Sequence, residues 1–402
     1  MSHMGTLYRY EMKKILCKKL VWAAFFAFLA LLLAQEILSE AGTYYVEGEA
    51  VDTYHHRNVV ERGYKKALSG RAIDQELLDE MAEGFAKIPD KTGAYGITEE
   101  YEKYARPYEC IFNFVRDWMD MREQEALEWE PDERELYAVR EKRMEAAWEE
   151  QFLSDGEKEF WREKNEALVL PAVWEYSDGY IVYLLHFGEL GMWVILFVSV
   201  SLSGVFAGEH TKRTDQLLLT SAKGKDMVYW AKILAGSSVA IVYSLVALVI
   251  ELLFTFGRNG VEGFGVEIQF VLPLYPYPLT LGKACLIVGG ILCLTSVLMS
   301  IIVMVVSERL KSGIAALAIV FGLVIAGMLV FIPRQYRVLA QIWDWLPTVF
   351  LSLRNVFDVR TFGGFGHYLV SWQVVPIFYG ICGVGIVFLG KRIYRNYQVS
   401  GR

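Results

Sequence analysis
Five ionisable side chains, Glu36, His186, Glu189, Glu251 and Lys283, sit close to long apolar runs. Charged groups in a bilayer are costly, and where they occur they mark proton relays, ion paths or substrate routes. Each of the five falls near the end of its run, so two readings stand. The groups line a polar vestibule at one membrane face, or the runs simply end there and the groups reach water, which is the plainer reading. Deeper in the runs lie Ser199, Ser201, Ser203, Ser237, Ser238, Thr295, Ser296 and Ser300, with Gly289 and Gly290. Small and hydroxyl residues at such depth permit close helix packing more often than they bind substrate.

Other chemistry finds no support in the spacing. The phosphate-cradling G-x-x-x-x-G-K-[ST] is absent: Gly224-Lys225 runs on to Asp226 and Gly282-Lys283 to Ala284. There is no H-E-x-x-H, and His55-His56 stands without ligand spacing, so no metal site is expected. Gly204 to Gly208 lacks the serine of a nucleophile elbow. The five cysteines, Cys17, Cys110, Cys285, Cys293 and Cys382, contain no C-x-x-C pair. No catalytic residue is expected, and uphill transport would need ATP hydrolysed by another chain.

The elements that carry these residues follow from composition. With 54% hydrophobic residues in 402, the chain is too apolar for an ordinary soluble domain. Its charge is segregated: residues 39–178 hold about 35 acidic against about 18 basic side chains, while the rest is basic. That pattern is a membrane body with one acidic, water-soluble insert. A bilayer core needs about 20 apolar residues as helix, and six runs qualify as spans: residues 20–38, 179–206, 229–256, 279–306, 313–332 and 370–390. The first is long enough, and its basic flank extended enough, to be an uncleaved anchor rather than a signal peptide. The opening Met1-Ser2-His3-Met4-Gly5 reads as a cloning remnant, and the rest of residues 1–19 as an amphipathic interfacial helix.

The insert, residues 39–178, is expected to be mainly helical and large enough to fold as its own domain. Ile111, Phe114, Val115, Trp118 and Met121 fall on one helical face. Tyr101, Tyr104 and Tyr108 make a similar stripe. Residues 73–88 and 131–152 read as further helices, the second opening at Pro131, and residues 91–96 as a turn. With only Cys110 inside it, the insert holds no internal disulfide and must be stabilised by packing.

Orientation follows from the basic loops, since Lys and Arg near span ends stay in the cytoplasm. Basic groups precede span one, follow span two (residues 207–228), lie between spans four and five (307–312) and follow span six (391–402). With six spans all four fall on one side, giving both termini inside and the acidic insert outside. Arg334, Arg337, Arg354 and Arg360 are exceptions on the outer side. The outer loop 257–278 carries Pro273, Pro276 and Pro278. Residues 333–369 fit short interfacial or re-entrant helices, with Trp343 and Trp345 at headgroup depth.

The connector after span two then becomes informative. Phe206-Ala207-Gly208-Glu209, Thr214, Leu217-Leu218-Leu219-Thr220-Ser221 and Lys232-Ile233 resemble the corresponding loop of ABC-2-type permeases. The six-span layout, the surface helix before span one and the broken helices before span six resemble the type V ABC exporter fold. A large domain between the first two spans occurs among bacterial members, so the resemblance implies a multi-pass protein of the bacterial cytoplasmic membrane. It also implies that residues 207–228 form a coupling helix docking on a separate ABC ATPase, which binds the ATP and Mg. Glu209, Thr214, Asp215, Gln216, Leu217, Leu218 and Leu219 would face that ATPase; where the family has glycine before Leu-Leu, this chain has Thr214-Asp215. This chain itself needs no cofactor. A second permease copy or related permease would complete the pathway, within the lipid bilayer and without nucleic acid. The expected cargo is hydrophobic or amphipathic: a peptide, lipid or drug. The alternative is a membrane receptor or sensor whose outer domain binds a ligand; a membrane enzyme lacks a catalytic set.

Overall fold
The computed structural model describes residues 3–47, 49–91, 95–212, 224–364 and 367–396. The first helix, α1 (His3–Leu16), includes His3, Met4 and Gly5 of the segment that the sequence suggested setting aside, while Met1 and Ser2 lie outside the described residues. It leads into α2 (Lys19–Leu38), 20 residues and hence about 30 Å of apolar helix. The insert contributes α3 (Tyr54–Ala67), α4 (Gln75–Ala86), α5 (Glu109–Met119), α6 (Glu123–Glu128), α7 (Glu133–Glu150) and α8 (Asp155–Glu166). The chain returns to long apolar helices with α9 (Asp178–Leu202), which passes at Ser203 into α10 (Gly204–Lys212). After it come α11 (Tyr229–Asn259), α12 (Leu281–Leu310), α13 (Gly313–Leu329) and, past three short helices, α17 (Ser371–Asn396). The short ones are α14 (Arg337–Asp344), α15 (Pro347–Phe350) and α16 (Leu353–Val356), the broken helices expected there.

The protein is mainly α-helical, and five of its described helices are long and apolar enough to cross a membrane. The sixth expected span, α13, is apolar but has only 17 residues, about 26 Å. It is bounded by a tight turn and a proline. Lys311, at a φ of 54°, closes α12 in the left-handed conformation, and the Ser312 hydroxyl accepts from the amide of Ala315 to start α13. At the far end Pro333 follows Val330 within three residues.

Helix α12 is the centre of the bundle, packing against α9, α11 and α17. Close approach depends on small residues. A Cβ on Gly236 of α11 would lie 2.4 Å from the Met304 sulfur of α12. Ser244 donates to Ser296 across the same pair at 2.6 Å, and Ser201 of α9 meets Tyr243 of α11 at 2.8 Å. Ser199 and Ser300 bond carbonyls of their own helices. The hydroxyls of Ser199, Ser201, Ser244, Ser296 and Ser300 are thus engaged within the helix bundle.

The insert has its own core, in which Ile111, Val115 and Trp118 of α5 meet Leu77, Leu78 and Phe85 of α4 and Leu136 of α7. Phe85 and Phe112 stack at 4.4 Å. The α5 face stops short of Met121 because Asp120 turns left-handed (φ 57°) and ends the helix. Asp132, not Pro131, caps α7, accepting from the amides of Arg134 and Glu135. The tyrosine stripe is not α-helical: Tyr101–Ala105 is a π-turn and Arg106–Tyr108 a 3-10 turn that contains Pro107. Among the described residues three short antiparallel strand pairs were not foreseen: β1–β2 (Thr43–Val46, Glu49–Thr53), β3–β4 (Arg71–Ala72, Val173–Trp174) and β5–β6 (Phe362–Gly364, His367–Leu369). The second ties the segment after α3 to the end of the insert.

Nor does the insert stand apart from the bundle. Met144, Trp148, Leu153 and Trp161 belong to the same apolar cluster as the long helices. Trp161 donates to the Val359 carbonyl at 2.7 Å and Arg140 to that of Pro273 at 2.8 Å. Trp345 is buried against Phe362 and Phe378, its carbonyl accepting from Tyr379 at 2.8 Å. Its ring is packed among protein side chains. Three of the four exceptional arginines are neutralised locally, Arg334 and Arg360 by Asp344, Arg360 also by Asp358, and Arg337 by Glu157. Arg354 is exposed.

The insert core makes a chemical prediction. Burial pushes the Cys110 thiol up to about 12, with Lys65 pulling weakly the other way, whereas Cys17 is exposed. Maleimide at pH 8 should modify Cys17 in the folded protein and Cys110 only after denaturation. Equal rates by peptide mass mapping would contradict the packing of α5.

Candidate functional site
Two buried charge clusters lie at opposite ends of the long helices. The first is at the insert end. Glu36 sits in the last turn of α2, His186 in the third turn of α9 and Glu251 two turns before the end of α11. The His186 Nδ1 is 2.9 Å from Glu251 Oε1 and 3.7 Å from Glu36 Oε1. Arg258, two turns past Glu251, reaches Glu36 Oε2 at 3.3 Å and donates to the Glu36 carbonyl at 2.8 Å. It also reaches Glu40 at 3.6 Å. Thr255 donates to Glu251 at 3.0 Å.

Three of the five residues singled out by the sequence thus form one site. Glu189 lies beside it, exposed, accepting from Gln35 at 2.6 Å. Lys283 is exposed at the start of α12, where the Thr280 hydroxyl caps its amide, and joins none of these contacts. Glu36 and Glu251 are buried, so the boundary reading fails for them: these groups reach each other and a histidine rather than water. Glu36, His186 and Glu251 could together hold a metal ion, an arrangement that no sequence spacing announces because each comes from a different helix.

The second cluster is at the far end and was not foreseen. Lys232 of α11 is 1% exposed, and its ammonium donates to Glu209 at 2.8 Å, Glu11 at 3.1 Å and the Val205 carbonyl at 3.2 Å. Lys14 completes the group, at 2.7 Å from Glu11 and 3.2 Å from Glu209. Beside it His210 meets Glu308 at 2.8 Å. Helices α1, α10 and α11 are therefore joined at one buried lysine. The signal was present in part: Lys232 stands alone among apolar residues at the start of a span, and a buried ammonium requires carboxylate partners. Of the coupling residues expected from the resemblance, Glu209 is engaged here, while Thr214, Asp215, Gln216, Leu217, Leu218 and Leu219 lie outside the described residues.

An open cleft of about 750 Å³ separates the insert from the segment after α13, with Asp117, Asp120, Arg143, Arg354 and Asp358 on its walls. Its charges are mixed, which does not favour a purely cationic ligand.

Together the fold and clusters define a mainly helical protein with several helices able to span a membrane. No protein-family model matches the chain, and neither a curated protein nor a solved structure matches it.

Proposed function
We propose that this chain is the permease subunit of an ATP-driven exporter of the ABC-2 type. It sits in the bacterial cytoplasmic membrane with both termini inside and the insert outside, α13 completing six spans. A partner ATPase binds and hydrolyses ATP, two permease copies or a related pair form the pathway, and the cargo is hydrophobic or amphipathic. The observation that carries this reading is the Lys232 hub. In sequence the connector lies between α10 and the π-turn Gly224–Val228 that leads into α11, and both helices, with α1, converge on that lysine. A force applied to the connector would therefore move three helices as one unit. The helix order supports the same reading: a helix before the first span, a large insert after it, and broken helices before the last.

Affinity purification of the full chain from its native cells tests it. A nucleotide-hydrolysing subunit should co-purify with the wild type and be lost with Leu218→Asp, with no change in the elution of the permease itself. Failure to recover any ATPase, or retention of transport in a Glu209→Ala/Leu218→Asp variant, would refute the exporter reading.

A further inference from the structure
We infer that Glu36, His186 and Glu251 form a binding site for one zinc-class divalent cation. The donor set, one imidazole nitrogen and two carboxylate oxygens, is that of borderline divalent ions. Zinc bonds of about 2.0–2.2 Å place tetrahedral donors roughly 3.4 Å apart. The His186 nitrogen stands 2.9 and 3.7 Å from the two carboxylates, and all three donor atoms lie within 4.8 Å of one another.

Charge points the same way. A metal-bound imidazole is neutral. Within the contacted cluster Glu36, Glu40 and Glu251 then bring three negative charges. Arg258 and Arg62 bring two positive ones, with Arg62 at 3.8 Å from Glu40. His55 adds a charge on Glu40 only when protonated. The cluster is left with an excess of about one negative charge, which a bound cation would offset, on the rule that buried charges are paired or bind metals. Arg258 takes Oε2 of Glu36 and leaves Oε1, the oxygen nearer His186, for the ion. Thr255 fixes Glu251, so both carboxylates are oriented from outside the donor set. Side-chain exposure is 28% for His186 and 3–5% for the carboxylates, which leaves one open side for access and a fourth, water ligand. The bound ion would tie together the insert-proximal ends of α2, α9 and α11.

The test uses the full chain in detergent, stripped with a chelator and offered Zn²⁺ alone. One zinc per chain should survive gel filtration in the wild type. Glu251→Gln and His186→Ala should each weaken binding at least tenfold, while a His55→Ala/His56→Ala variant, which removes the exposed histidine pair, should bind as the wild type does. X-ray absorption of the zinc-loaded wild type should show one imidazole with oxygen neighbours and no sulfur, a result independent of whether any variant folds. Absence of stoichiometric zinc, undiminished affinity in Glu251→Gln, loss confined to the His55/His56 variant, or a thiolate at the metal would each overturn the assignment.

Discussion

Replacing Lys232 by methionine is expected to destabilise the protein by about 3 kcal/mol, at the low end of the range for breaking a buried ion pair. Methionine keeps most of the apolar stem, so the loss isolates the ammonium. Glu11 and Glu209, 5% and 13% exposed, would face each other across the site without the cation between them. Lys14 stays in contact with both, which is why the loss falls at the low end. The ammonium also lies over the Phe206 ring at 5.3 Å, a smaller contribution that disappears with it. Adding Glu209→Gln to Lys232→Met removes one of the stranded carboxylates and should recover part of the stability. Groups in one network couple, so the two substitutions should be clearly non-additive. Thermal unfolding in detergent of the wild type, both single variants and the double variant measures this. Strict additivity would mean that Lys232 does not pair with Glu209. The same loss would weaken the tie between α1, α10 and α11, which Lys14 and the Tyr8–Ser238 bond still hold, so the variant should also weaken coupling to any partner that acts on the connector.

Acid should undock the insert from the bundle through Glu157. This carboxylate is buried, which by itself would raise its pKa. The Arg337 guanidinium, the Ser154 amide and the hydroxyl and amide of Thr361 outweigh burial and hold it at about 2. The same side chain closes a capping box with Ser154 at the start of α8. A folded pKa below the unfolded value of 4.5 gives stability that is fully present above about pH 4.5. It is lost as pH falls from there through about 2. The difference amounts to about 3 kcal/mol at neutral pH. Trp161, on the same helix, hydrogen-bonds Val359 and reports the docking by its fluorescence. The wild-type signal should change progressively between pH 4.5 and 2. Glu157→Gln should start from a weaker docked state and lose that pH-dependent component. Parallel acid profiles for the two proteins would show that other carboxylates govern the contact.

The two positions differ in how far they could have been anticipated. Glu157 follows Ser154 at capping-box spacing, so its helix-starting role is a local pattern. Its bond to Arg337 joins residues 180 apart. Lys232 and Glu11 are 221 apart. Neither pairing leaves a periodic trace, because an ion pair needs only that two side chains meet after the backbone has folded.

The apolar helices were legible from sequence because spanning length is a one-dimensional property. An uninterrupted apolar run of about 20 residues has few other folds available to it, and the observed helices begin and end within a few residues of those runs, apart from the extension of α17 to Asn396. The face of α5 was legible for the same kind of reason, since helical periodicity repeats within a dozen residues. Only the tertiary structure decided what the charged residues do. It drew Glu36, His186 and Glu251 from three helices into one cluster, left Lys283 outside it, and matched the arginines beyond α13 with Asp344, Asp358 and Glu157. Burial makes an isolated charge costly, so the fold has to provide a partner. Which partner depends on how the helices pack against one another, and no stretch of sequence contains that.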